Sequence, residues 1–213
     1  MMGPPGAGKG TQAGRFARER ELPKISTGDI LREAIREGNP TALAAKERMD
    51  RGELVDDAMI ISIVADRLAK PDVKAGFVLD GFPRTVAQAQ ALDELMERLG
   101  LGPLIVVDVA VPEPELVRRL AGRRICSVCG TNAERLDTDT CAPCGGRLEQ
   151  RADDEREVVL ERLKVYHLST KPVLEYYRER PTFRVVNGAQ APDRVASELN
   201  AMIDDAVAVR GIS

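Results

Sequence analysis

Short apolar runs alternate along the chain with stretches in which apolar residues recur three and four positions apart. Gly76-Phe77-Val78-Leu79-Asp80, residues 104–111, and Phe183-Arg184-Val185-Val186-Asn187 read as buried strands, because each is a compact apolar block punctuated by Gly, Pro or Asn. Residues 56–68 carry the helical period, with Ile60, Ile63, Val64 and Leu68 on one face. Asp154 followed by Glu157 has the form of a capping box, opening a further helix through Leu160, Leu163 and His167. Strands alternating with helices predict an α/β fold, a mostly parallel sheet with helices on both faces. Ligands of such sheets bind at the carboxyl ends of the strands, and Asp80, Asp108 and Asn187 fall at or near those ends. Residues 126–146 follow neither period and are rich in Cys, Asp, Thr and Gly, so they read as an inserted module within one domain of 213 residues.

The N-terminus adds chemistry to this pattern. Gly3-Pro4-Pro5-Gly6-Ala7-Gly8-Lys9-Gly10-Thr11 packs four glycines into nine residues. Such a backbone can turn successive N–H groups inward as an anion nest, at the positive end of the helix that follows. Lys9 supplies a cation for the outer phosphates, and the Thr11 hydroxyl can reach phosphate or a metal shell. This is a phosphate-binding loop, with Gly10 standing where the strict pattern has Ser or Thr. Only Met1 and Met2 precede it as strand, against ~5 residues in a typical one. The first strand is therefore expected to be truncated and to leave sheet edges exposed, at a large share of a typical ~5–15 kcal/mol stability. A few apolar residues are expected to precede Met1 in the natural protein.

Composition narrows the partners. A formal charge of −3 argues against general affinity for nucleic acid, so any anion site must be a local gathering of basic residues. No apolar run approaches the ~20 residues that span a bilayer, and no signal peptide precedes the loop, so a cytoplasmic protein with no membrane association is expected. Aromatic residues are only 3%, leaving aliphatic side chains to fill the core.

Asp80-Gly81-Phe82-Pro83-Arg84-Thr85 follows an apolar strand directly; the Asp is placed to hold a Mg²⁺ shell, and Arg84 can fork onto a phosphate. Taken alone it is also a strand-to-helix turn with a capping Asp. Ser26-Thr27-Gly28-Asp29-Ile30-Leu31-Arg32 is a second polar turn with the form of a helix N-cap. Arg119 and Arg123 stand four apart and share a helix face; Arg151 precedes the Asp154 helix and Arg162 lies within it. Cys126-x-x-Cys129 and Cys141-x-x-Cys144, each trailed by Gly, have the spacing of a four-thiolate structural Zn²⁺ site, since two disulfides do not suit a reducing compartment. Acidic Asp137-Thr138-Asp139 weighs against a nucleic-acid-binding ribbon there. His167 reads as a helix residue packed near Tyr166, and Tyr176-Tyr177 as core.

In this combination and order, Gly-x-Pro-Gly-x-Gly-Lys-Gly-Thr, Ser-Thr-Gly-Asp-x-Leu-Arg, Asp-Gly-Phe-Pro-Arg-Thr and Gly-Arg-Arg resemble the adenylate kinases of the bacterial long-lid, zinc-bearing type, over nearly the whole chain. Gly10 agrees with that family's loop. The resemblance implies reversible Mg²⁺-dependent transfer, ATP plus AMP to two ADP, by a monomer. It also implies an AMP-binding flap at 26–55 and a zinc-binding lid at 122–154. By motif position, Gly6, Ala7, Gly8, Lys9, Gly10 and Thr11 would hold ATP phosphates, and Lys9, Arg84, Arg119, Arg123, Arg151 and Arg162 would clamp the transferring group. Asp80 would orient hydrated Mg²⁺. Thr27, Arg32, Glu53, Leu54, Val55, Gly81, Phe82, Pro83, Arg84 and Gln88 would take AMP, and Gln190 would lie against the ATP adenine. A related kinase with GTP or another donor, or a zinc module that binds nucleotide without turnover, are the rival readings.

Overall fold

A computed structural model describes residues 1–133 and 138–209. After the phosphate loop come α1 (Lys9–Glu19), β1 (Lys24–Ser26), α2 (Thr27–Arg36), α3 (Pro40–Asp50), α4 (Asp57–Leu68) and β2 (Val78–Asp80). Next are α5 (Val86–Arg98), β3 (Val106–Ala110), α6 (Glu113–Ala121), β4 (Ile125–Cys126) and β5 (Leu148–Glu149). The chain ends with α7 (Arg156–Val165), α8 (Lys171–Arg178), β6 (Phe183–Asn187) and α9 (Pro192–Val209), a π-helical turn at Tyr166–Thr170 joining α7 to α8. No helix among the described residues is long and apolar enough to cross a membrane.

The three strands foreseen from apolar blocks form, β2 and β3 slightly shorter than their blocks and β6 over the whole of its block; β2 pairs in parallel with β1, and β3 with β6. Between these pairs lies the slot of the short first strand. Met2 fills it, donating to the Val107 carbonyl at 2.7 Å and accepting from the Val109 N–H at 2.9 Å, while the Met1 nitrogen donates to the Leu79 carbonyl at 2.7 Å. The first strand is as short as expected, reduced to a single bridge opposite Asp108. The anticipated exposure does not follow, because two residues suffice to tie β2 to β3 and Met2 is buried.

Alternation along β3 sorts the core. Val107 and Val109 pack with Ala13, Phe16, Leu116, Leu120 and Leu199 from α1, α6 and α9. Val106 faces the other way, toward Met2 and toward Ala89, Val173, Leu174 and Tyr177 of α5 and α8. Ile25 and Leu79 extend that second layer to α2, α4 and α5. Helices therefore cover both faces. Tyr177 is fully buried, as expected of core, with Tyr176 edge-on to it at 5.0 Å.

Three local expectations are corrected. Asp154 does not cap a helix: α7 starts at Arg156 behind Glu155, with no side-chain cap, because the Asp154 carboxylate is taken by Arg123 and Arg162. The helical face drawn through Leu160, Leu163 and His167 holds only for Leu163. Leu160 is exposed, and His167 sits in the π-helical turn, edge-on to Tyr166 and 3.4 Å from Glu113. Asp108 lies in the middle of β3, not at its end. By contrast the helix read over 56–68 forms as α4, and Asp56 caps it by accepting from Ala58 and Met59.

Leu120 is completely buried beneath the phosphate loop, where a Cβ on Gly6 would stand 2.9 Å from its Cγ. Leu120→Ala is expected to cost about 2–5 kcal/mol in urea unfolding. A loss below about 1 kcal/mol would mean that α6 does not pack there.

Candidate active site

Gly6 and Gly8 hold φ of +84° and +90°, a left-handed geometry that lets the loop curl, and α1 starts immediately at Lys9. The Lys9 ammonium folds back onto the Pro4 carbonyl at 2.7 Å. Burial pushes its pKa down, Asp80 acts in the opposite sense, and Arg84, Arg162 and Arg123 depress it further, leaving it at about 7. Asp80 ends β2 with its side chain facing the same helix start: a Cβ on residue 10 would lie 3.1 Å from Asp80 Oδ2. Gly10 is thus the residue that leaves this carboxylate room.

The loop after β2 carries Arg84. Its Nε donates to the Gly81 carbonyl at 2.8 Å, its backbone N–H to Gln88 Oε1 at 2.7 Å, and its carbonyl accepts from Thr170 Oγ1 at 3.0 Å. Burial lowers the Arg84 pKa, with Asp80 opposing and Arg32 and Arg151 adding to the fall. Arg84 lines two adjoining clefts. One, of about 580 Å³, also presents Thr27, Arg32, Glu53, Leu54, Val55, Gly81, Gln88, Arg151 and Arg162. The other, of about 540 Å³, presents Lys9, Phe82, Pro83, Tyr166 and Arg162 on the loop side.

Ser26 caps α2 by accepting from the Asp29 N–H, which frees the Thr27 hydroxyl to donate to the Gly81 carbonyl at 3.2 Å. Gln88 is buried, its amide nitrogen 2.7 Å from Asp57 Oδ1 while its oxygen takes the Arg84 N–H. One N–H and one lone pair of that amide remain for a ligand.

Opposite stand the remaining arginines. Arg123 forks onto Asp154 at 2.7 and 2.5 Å, and Asp154 has no exposed side chain. Arg162 Nη1 reaches Asp154 Oδ1 at 3.0 Å and the Asp153 carbonyl at 2.8 Å, and Arg151 Nε meets Asp153 Oδ1 at 2.7 Å. Burial works to raise the Asp153 pKa, but Arg162 and Arg151 outweigh it and hold the carboxyl at about 2. Burial drops Arg162 to about 10. Arg123 does not share a helix with Arg119, because α6 ends at Ala121 and Gly122 caps it. Arg119 stands apart, on the Gly188 carbonyl at 2.9 Å and on Glu115, beside a turn in which Gln190 reaches Glu198 at 2.8 Å. Asp57, Asp153, Asp154 and Thr170 were not foreseen as site residues. Each acts by holding another polar group, and only Asp153, two residues after Arg151, has a spacing that hints at it.

β4 and β5 form a short antiparallel hairpin whose interior, among the described residues, is Cys126, Cys141 and Leu148. The Sγ atoms of Cys126, Cys129, Cys141 and Cys144 all lie within 4.8 Å of one another. Cys126–Cys144 and Cys129–Cys141 separations of 3.4 and 3.5 Å approach the edge of a Zn–S₄ tetrahedron, and a Cβ on Gly146 would stand 2.7 Å from Cys126 Sγ. The donor set fits zinc. Asp137, part of the acidic stretch noted in the hairpin, lies outside the described residues.

The family model described as adenylate kinase matches residues 1–182. Among curated proteins, an adenylate kinase of Archaeoglobus fulgidus is 46% identical over 209 residues, covering 96% of each chain. Those of Symbiobacterium thermophilum and Desulfitobacterium hafniense are 46% and 47% identical, covering 95% and 93% of this chain and 96% and 94% of their own.

With Lys9 at about 7, its amine is mostly neutral at pH 8 before an anion arrives, and phosphate charge stabilises the ammonium. Binding of inorganic tripolyphosphate at pH 8 should therefore take up as much as roughly 0.9 proton, falling toward zero at pH 6. Calorimetry in buffers of different ionisation enthalpy measures this. Equal uptake by Lys9→Met would show that another group takes the proton.

Proposed function

As a member of the adenylate kinase family, the chain is a nucleoside monophosphate kinase that interconverts ATP plus AMP with two ADP, and we propose that residues 6–11 hold the donor phosphates while the cleft under Arg84 holds AMP. The observation that carries this reading is Arg84 itself, which lines the loop-side and the flap-side clefts together and so can touch a phosphoryl group passing between them.

On this reading an AMP phosphate oxygen attacks the γ-phosphorus in line as the bond to the β–γ bridging oxygen breaks. The acceptor is already an anion, so no general base is required. Lys9, Arg84, Arg123, Arg151 and Arg162 stabilise charge on the equatorial oxygens, and closing the site keeps water from the donor. Arg119, expected in the clamp, instead stands on the Gly188 carbonyl beside the Gln190 turn, so we place it with Gln190 on the donor nucleoside. Thr27, Arg32, residues 53–55, residues 81–83 and Gln88 hold AMP. Residues 26–55 act as the acceptor flap and 122–154 as the lid. Asp80 and the Thr11 hydroxyl are the oxygen donors suited to a hydrated hard cation, and the room left by Gly10 fits that role. A Mg²⁺ ion held there would supply charge neutralisation for the phosphates. The four cysteines hold structural zinc. Cysteines not joined in disulfides suit the reducing cytoplasm, where we infer that the protein works as a monomer.

Initial rates with ATP, GTP and CTP against AMP, UMP and CMP test the assignment. ATP with AMP should be fastest, and faster turnover of UMP or CMP than AMP would overturn the acceptor reading. Arg84→Ala and Lys9→Met should each lower kcat by about 10²–10³ with the fold retained; near-normal rates would remove either residue from the clamp. For the zinc, metal analysis should find about one Zn per chain, and stripping it should lower Tm. An unchanged Tm after complete removal would exclude a structural role.

A further inference from the structure

Lys24 is used by none of the steps above, yet it stands against the carboxylate assigned to the metal. Its ammonium lies 3.5 Å from Asp80 Oδ2 and 3.5 Å from Asp29 Oδ2. Asp29 is also paired with Arg32 on the acceptor side. Neither end of the Lys24–Asp80 contact is a freely solvated surface group: the side chains are 28% and 13% exposed.

The first helix makes space for this lysine. Gly10 and Gly14 stand one turn apart on the same face of α1, although glycine is disfavoured inside helices. A Cβ on Gly14 would reach van der Waals contact with Lys24 Cδ at 4.0 Å. One on Gly10 would lie 4.0 Å from Lys24 Nζ and 3.1 Å from Asp80 Oδ2. The lysine stem therefore runs along a groove in α1 toward the start of the phosphate loop.

We propose that Lys24 is a positioning residue for Asp80, which competes with hydrated Mg²⁺ for that carboxylate and so sets how strongly the site prefers Mg·ATP over metal-free ATP. The proposal rests on the reading of Asp80 as the acid of the metal's water shell. A lysine in contact neutralises much of the carboxylate's field, so a divalent cation gains less from Asp80 while Lys24 is present. The two equal distances supply the alternative: when Asp80 turns to the metal's waters, the ammonium keeps Asp29 as partner.

The test is the ratio of two ATP dissociation constants measured by calorimetry without AMP, one in EDTA and one at saturating Mg²⁺. Lys24→Met should raise the metal-free to metal-bound ratio by about 3–10-fold, and Lys24→Arg should leave it within about 2-fold of wild type. Asp80→Asn should lower it. A merely structural lysine would weaken both affinities together and leave the ratio where it was. If Asp80→Asn lowers the ratio while Lys24→Met leaves or lowers it, the Lys24 proposal fails and the Asp80 assignment stands. If neither substitution moves the ratio, the Asp80 assignment itself fails. A shift in Lys24→Arg as large as in Lys24→Met also overturns the proposal, because the charge would then not be the cause. Thermal melts of each variant establish that it is folded.

Discussion

Repulsion among like charges is the constraint on which this site depends. Lys9, Arg32, Arg84, Arg123, Arg151 and Arg162 act on one another in a chain of formal charge −3, and several are driven below their ordinary pKa by burial. The cluster is tolerable because Asp80, Asp153 and Asp154 are threaded through it. Asp154 matters most: a carboxylate with no exposed side chain accepts from both Arg123 and Arg162. Buried charge is costly unless paired and hydrogen-bonded, and here it is both. These acids hold the arginines apart and aimed, at the expense of charge that a phosphoryl group must win from them.

That arrangement explains why the fold around it can be economical. The carboxyl ends of parallel strands deliver Asp80 and the phosphate loop side by side, and Met2 needs only to bridge Val107 and Val109 to keep β3 in line. Strand length alone foretold exposed edges because it counts residues and not the hydrogen bonds that tie the neighbouring strands. What a central strand must supply here is a tie between two neighbours and one buried side chain. Met1 and Met2 supply both.

The strands and α4 were legible because their signals are local: an apolar block or a periodic face declares itself within a dozen residues. The charged residues were legible only as an inventory. Sequence motifs named Lys9, Arg84 and the arginines, but not their partners, since Asp154 meets Arg123 across 31 positions and Thr170 meets Arg84 across 86. Asp154 was misread for the same reason. Its spacing to Glu157 imitates a cap, and local grammar holds no information about an arginine arriving from another element. Gln88 shows the intermediate case: its place in the cleft was foreseen, while the Asp57 that orients its amide comes from α4 and was not.

The hairpin between Arg123 and Arg151 meets the same constraint with almost no apolar core of its own. Among the described residues its strands are two residues each and its apolar interior is two cysteines and Leu148, with Ala133 against them. Such a core cannot hold a shape by itself. Arg123 lies just before the hairpin and Arg151 just after it, so its shape sets where both guanidinium groups start. A metal held by four thiolates adds rigidity where there is no volume for a core, and a closed site of that kind brings no open coordination position to the phosphates. The proposed zinc therefore belongs to the same problem as Asp154. One fixes the hairpin between the two arginines, the other fixes Arg123 beside Arg162, and together they let a cluster of like charges be built from a segment that could not otherwise fold.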